Sequence, residues 1–134
     1  MTKSDYNKYL HSKEWADFKA RYRASNRPQG CYICGGKPDA IHHLCYDRVG
    51  HELLEDCCAV CAADHFLIHF AHDTRATYRQ TISSVTESVK AMYQACERDG
   101  TTDDFAEIVK TFYEQRRRYN KPRVTIGQIV SLAA

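Results

Sequence analysis

Residues 31–69 read CYICGGKPDAIHHLCYDRVGHELLEDCCAVCAADHFLIH, and this stretch decides the fold. It is poor in large apolar side chains, and a segment of about 40 such residues rarely buries enough surface to fold unaided. Cysteine and histidine offer a staple in place of a core. Cys31-Tyr32-Ile33-Cys34-Gly35-Gly36 forms a tight glycine-containing turn that lets two thiolates face one ion. Ala40-Ile41-His42-His43-Leu44 is predicted to be a strand, followed by a loop from Tyr46 to Glu55. Asp56-Cys57-Cys58-Ala59-Val60-Cys61 returns as the second strand of a hairpin. From Asp64 the period becomes helical: His65, Ile68, His69 and His72 recur at i, i+3, i+4 and i+7.

Two metal sites follow from these spacings. A structural zinc needs four ligands delivered from two short knuckles. Cys31 and Cys34 give the first pair and Cys61 a third. The fourth is either Asp64, at the mirror spacing Cys61-x-x-Asp64, or Cys58, which completes Cys58-x-x-Cys61. The second constellation is made of imidazoles. Neighbours on a strand point to opposite faces, so of His42 and His43 one imidazole can hold a metal while the other addresses a water. His65 and His69, four apart on a helix, aim both rings at one ion. Three histidines with an open position suit a catalytic divalent cation, with imidazole favouring Zn²⁺, Ni²⁺ or Mn²⁺ and cellular abundance favouring Mg²⁺.

Outward from this centre the chain is helical. Before it, Ser12 is predicted to cap a helix over 13–24 whose Trp15, Phe18 and Tyr22 form one apolar face, and Asn26-Arg27-Pro28-Gln29-Gly30 ends it. After it, Ile82, Val85, Val89, Met92 and Cys96 mark a helix over 74–98 ended by Asp99-Gly100. Thr102 or Asp103 caps a second helix carrying Phe105, Ile108, Val109, Phe112 and Tyr113 inward. The expected architecture is α+β, in three segments: a basic N-terminal helical arm over 1–30, a metal-stapled core over 31–72, and a helical hairpin over 73–134. The apolar stripes of the hairpin suit either packing on the core or a homodimer or partner-protein contact.

The seven cysteines are an odd number, the opening residues Met1-Thr2-Lys3-Ser4-Asp5 are polar, and no apolar run reaches membrane-spanning length. A reducing, cytoplasmic compartment with metal-binding cysteines is the expectation, with no membrane partner. The net charge of +2 conceals an uneven distribution. Residues 1–30 carry seven Lys/Arg against three acids, residues 31–72 two against six, and residues 73–134 ten against eight. An acidic, histidine-rich centre between basic flanks suits a metal site with phosphate-gripping arms, although ordinary solvated surface has the same look. Lys13, Lys19, Arg21, Arg23, Arg116, Arg117 and Arg118 are the candidate phosphate contacts.

Taken in order, Tyr9-Leu10-x-Ser12-x-x-Trp15, Cys31-x-x-Cys34, Ile41-His42-His43-x-x-Tyr46-x-Arg48-x-Gly50-x-Glu52, Asp56, Cys61, His65 and Ile68-His69 resemble the HNH endonucleases of phages and bacteria, over roughly residues 9–69. The resemblance implies a ββα-metal, treble-clef-like core and a metal-dependent endonuclease acting on double-stranded DNA in a bacterial or phage-infected cell. It implies His42, His65 and His69 as ligands of the catalytic metal and His43 as the general base. It also implies 5′-phosphate and 3′-hydroxyl products. Arg48, beside the site, is expected either to hold a phosphate or to sit in solvent. Two positions depart from the family pattern. Asp56 stands where Asn is usual; it can accept the same backbone hydrogen bonds, or orient His43. Asp64 stands where zinc-bearing members usually have Cys. The rival to an enzyme is a non-catalytic zinc module that binds DNA or a protein.

Overall fold

The structure is a computed structural model that describes residues 2–74 and 81–118, with the side chains of residues 73–74 and 115–118 outside the description. Among the described residues there are five α-helices and one two-stranded antiparallel sheet, an α+β arrangement. The elements are α1 (Lys3–Tyr9), α2 (Lys13–Arg23), β1 (Ala40–His43), β2 (Cys57–Val60), α3 (Ala62–Thr74), α4 (Ile82–Asp99) and α5 (Thr102–Arg118).

The sheet is the middle layer. Its register pairs Ala40 with Val60, Ile41 with Ala59, His42 with Cys58 and His43 with Cys57. Paired residues share a face, so one face carries His42, Cys58 and Val60 and the other Ile41, His43, Cys57 and Ala59. Both faces are covered. Cys58 and Val60 join Cys31, Ile33, Leu67, Ile68, Val85, Val89, Phe105, Val109 and Phe112 in one apolar cluster. Ile41, Cys57 and Ala59 join Trp15, Phe18 and Tyr22 in a second. Hence α3, α4 and α5 cover one side and α2 the other. Burial on both sides explains why the strands do not alternate between apolar and polar residues.

Local chemistry fixes the element ends. The Ser12 side chain accepts from Trp15 N, the expected cap of α2. The Tyr22 hydroxyl donates to Pro28 O at 2.9 Å and accepts from Ala59 N at 3.2 Å, pinning α2 to β2. Gly35, at φ 73°, closes the knuckle turn, with Cys31 N donating to Gly36 O and Gly35 N to Cys31 O. Gly100, at φ 72°, ends α4 in the left-handed conformation.

One element was not foreseen and one expectation needs correction. The polar opening residues lead into a helix. Thr2 and Asp5 form a reciprocal capping box that starts α1. The helix expected from Thr74 begins only at Ile82, because Thr81 accepts from Ser84 N and caps it there, while α3 extends to Thr74. The two C-terminal helices pack on α3 within the chain. Among the described residues no helix is long and apolar enough to cross a membrane.

Candidate metal and imidazole centre

Two groups of metal-competent side chains lie on the helical side of the sheet. In the first, one ligand atom from each of Cys31, Cys34, Cys61 and Asp64 lies within 4.8 Å of all the others. The sulfurs of Cys31 and Cys61 sit 3.4 and 3.1 Å from Asp64 Oδ2. A zinc tetrahedron with ~2.3 Å metal–sulfur and ~2.0 Å metal–oxygen bonds has sulfur–oxygen edges of about 3.5 Å, close to this spacing. Of the two candidates for the fourth ligand, Asp64 joins the group. Cys58 faces the apolar cluster from β2, and burial pushes its thiol up to about 12. Burial, reinforced by the neighbouring Cys31, raises Asp64 to about 6, while a hydrogen bond from Cys61 lowers Cys31 to about 4. Two anionic ligands crowded in a buried pocket are what a cation would relieve. All seven cysteines are free.

In the second group, His42 from β1 meets His65 and His69 from α3, again with one ligand atom each within 4.8 Å. The nitrogens Nε2 of His65 and His69 are 3.1 Å apart, inside the roughly 3.0–3.4 Å that two ligands ~2.1 Å from one ion would span. His42 is 1% exposed, and its Nδ1 is buried with no hydrogen-bond partner. Burial, then the His65 and His69 rings, pushes His42 down to about 2, and burial pushes His65 to about 4. Both rings are therefore neutral at ordinary pH, the form that ligates metals. The donor set and the orphaned Nδ1 fit a divalent ion.

His43 points the other way. Its ring lies between Trp15, at a centroid distance of 4.6 Å, and Tyr46, at 5.6 Å. Nε2 is 2.8 Å from Glu52 Oε2, and Nδ1 is 2.9 Å from the Tyr6 hydroxyl. Glu52 also accepts from Tyr9 OH at 2.6 Å and from Gly50 N at 3.0 Å. Burial alone would raise Glu52, but the hydrogen bonds from Tyr9 and His43 outweigh it and hold the carboxylate below its usual range. An ionised Glu52 accepts from Nε2–H, which leaves Nδ1 as the basic nitrogen, facing Tyr6.

Asp56 does not orient His43. Its carboxylate accepts a forked pair from Arg48, with Nε at 2.8 Å, and a further bond from Leu53 N at 2.9 Å. That leaves the imidazole to Glu52. Asp56 instead ties the loop between the strands, assisted by Leu44 N donating to Asp56 O at 2.7 Å. Arg48 is accordingly an ion-pair partner in that loop.

The basic candidates separate as well. Lys19 and Arg23 line a cleft of about 310 Å³ together with Tyr6, Trp15, His43, His65 and His69. Lys13 pairs with Asp17 on the exposed side of α2, and Arg21 lies over the Phe18 ring. The side chains of Arg116, Arg117 and Arg118 lie outside the described residues. Sequence reasoning missed Tyr6, Tyr9 and Glu52 as site residues. The signal for Glu52 was its place in the Gly50-x-Glu52 run; Tyr6 and Tyr9 sit three apart on a seven-residue helix that only the capping box announces. No protein-family model, curated protein or solved structure matches the chain.

Proposed function

We propose that this chain is a metal-dependent DNA endonuclease of the HNH, ββα-metal type. The observation that supports it best is the division of labour between adjacent histidines. His42 closes a three-imidazole cluster with an orphaned nitrogen, and His43 is held by a carboxylate beside a cleft lined with Lys19 and Arg23.

In this reaction Nδ1 of His43 accepts a proton from water as the oxygen attacks phosphorus in line. The bond from phosphorus to the 3′ oxygen breaks, the 3′ oxygen takes up a proton, and the products carry 5′-phosphate and 3′-hydroxyl ends. Glu52 stabilises the imidazolium that forms on His43 and fixes its tautomer. His42, His65 and His69 would hold a divalent ion (Mg²⁺, Mn²⁺, Ni²⁺ or Zn²⁺), which supplies charge stabilisation at the phosphoryl and leaving oxygens. Lys19 and Arg23 grip neighbouring phosphates, so binding falls steeply with salt. Cys31, Cys34, Cys61 and Asp64 would hold a structural zinc. One site per chain nicks one strand.

One feature favours the rival, a DNA-binding module without catalysis: the Tyr6 hydroxyl occupies the place at His43 Nδ1 that a water must take. Plasmid nicking with a series of single divalent metals separates the two. Wild-type protein is expected to nick and His43→Ala to lose at least about 100-fold in rate, the scale of a general base. A His43→Ala protein that cuts at the wild-type rate ends the assignment.

A further inference from the structure

The first turns of α4 reach into the three-histidine cluster. Nε2 of His42 lies 3.0 Å from the Thr86 hydroxyl, across 44 positions of sequence. Thr86 is 0% exposed and is the buried polar residue of an otherwise apolar helix face made by Ile82, Val85 and Val89. Its hydroxyl has one proton, and that proton is committed to Ile82 O at 2.7 Å. Toward His42 the oxygen can therefore only accept, which places the imidazole proton on Nε2. The other nitrogen, Nδ1, is then a bare lone pair, and it is the buried atom without a partner.

We propose that Thr86 is a positioning residue for the metal site: by accepting from Nε2–H it locks His42 in the one tautomer and ring orientation that presents Nδ1 to a divalent ion shared with His65 and His69. This role rests on the metal site proposed above and extends it to α4, outside the stretch 31–69 that carries the ligands. A histidine ligand whose second nitrogen is held by a fixed acceptor is a stronger and better-aimed donor. Threonine is suited to the task because a helical β-branched hydroxyl bonds its own i−4 carbonyl, which freezes the direction of its remaining lone pairs. The ligand cluster is thus completed by a helix that the spacing of the ligands alone would leave out.

The test uses the full chain carrying zinc in its cysteine knuckle, with Ni²⁺ as the titrant and calorimetry as the readout. Thr86→Val keeps the shape and removes the acceptor; it is expected to weaken Ni²⁺ binding about 10- to 100-fold. Thr86→Ser, which keeps the hydroxyl, is expected to stay within about threefold of wild type. Independently of any bound metal, nitrogen NMR of the metal-free wild-type histidine cluster is expected to find the His42 proton on Nε2. This measurement stands even if Thr86→Val fails to fold. Wild-type affinity in a folded Thr86→Val protein, or a proton found on Nδ1, overturns the role of Thr86. His65→Ala separates this from the larger claim. If His65→Ala loses Ni²⁺ and Thr86→Val does not, only Thr86 is misassigned; if His65→Ala binds like wild type, the three-histidine site itself falls.

Discussion

His42 and His43 are neighbours in sequence and lie back to back in space, and the two faces of the sheet treat them in opposite ways. On the helical face His42 keeps one nitrogen bare and is ringed by two further imidazoles, with a four-ligand knuckle on the same side. On the other face both nitrogens of His43 are engaged, by Glu52 and Tyr6, and its ring is stacked between Trp15 and Tyr46. The same side chain, equally buried in both places, has a bare nitrogen on one face and two engaged nitrogens on the other, an arrangement on which the proposed roles of ligand and proton acceptor rest. A one-residue step along a strand is enough to separate the two environments, because successive side chains leave opposite faces. The helical face gathers side chains that could hold a metal ion, and the other is ordered by neutral and charged hydrogen bonds. The two should therefore fail differently.

The largest effect is expected on the helical face. Cys31 and Ile33 belong to the apolar cluster that joins the sheet to α3, α4 and α5, so the knuckle that would hold the proposed zinc also carries core residues. Structural zinc contributes folding free energy directly. Cys31→Ala, or extraction with a strong chelator, is expected to destabilise the protein by more than about 5 kcal/mol. Thermal melts with and without chelator measure it. A Cys31→Ala protein that melts with the wild type would show that the knuckle is a set of thiols in a core that stands without metal.

The opposite face should respond to protons. Arg48, through its forked hydrogen bonds, holds the Asp56 carboxyl below its ordinary value of 3.8. A carboxylate depressed in the folded state stabilises above the unfolded value, and that stabilisation disappears as the pH falls from about 3.8 through the lower folded value. Because Arg48 is half-exposed, solvent screens the pair and the contribution is about 0.5–1 kcal/mol. Asp56→Asn should therefore be less stable than wild type by that amount at pH 6, with the gap closing toward pH 2. Denaturant unfolding across this range tests it; a gap independent of pH means that Asp56 acts through its backbone bonds alone.

How far each face was legible in the sequence follows from the range of its interactions. The two halves of the knuckle, the His65/His69 pair and the α2 cap at Ser12 depend on spacings of three or four residues, which a sequence displays directly. The opposite facing of His42 and His43 follows from the two-residue period of a strand. Thr86, by contrast, meets His42 across 44 positions and Glu52 meets His43 across nine through an irregular loop. No period connects such pairs. Asp56 drew attention because it stands where the family pattern usually has Asn, yet Arg48 takes its carboxylate and leaves Glu52 to the histidine. The start of α4 was expected eight residues early, ahead of the stripe's first member, Ile82, although the Thr81 side chain caps the helix just before it.

The smallest and most pointed effect concerns Tyr6. Its hydroxyl donates to Nδ1 of His43, and burial pushes its own ionisation up, so it stays protonated and remains a donor. If His43 is the general base, water must take the place of this hydroxyl before a proton can be accepted. The bond to be exchanged has a net worth of about 0.5–1.5 kcal/mol. Tyr6→Phe removes the competitor and keeps the ring that packs edge-on against His43 and Tyr46. Nicking at saturating metal is then expected to speed up by as much as about tenfold, with stability lowered by no more than about 1.5 kcal/mol. A fall in rate would have the opposite meaning. The hydroxyl would then carry the proton between water and His43, and the face that looks closed would be the working one as it stands.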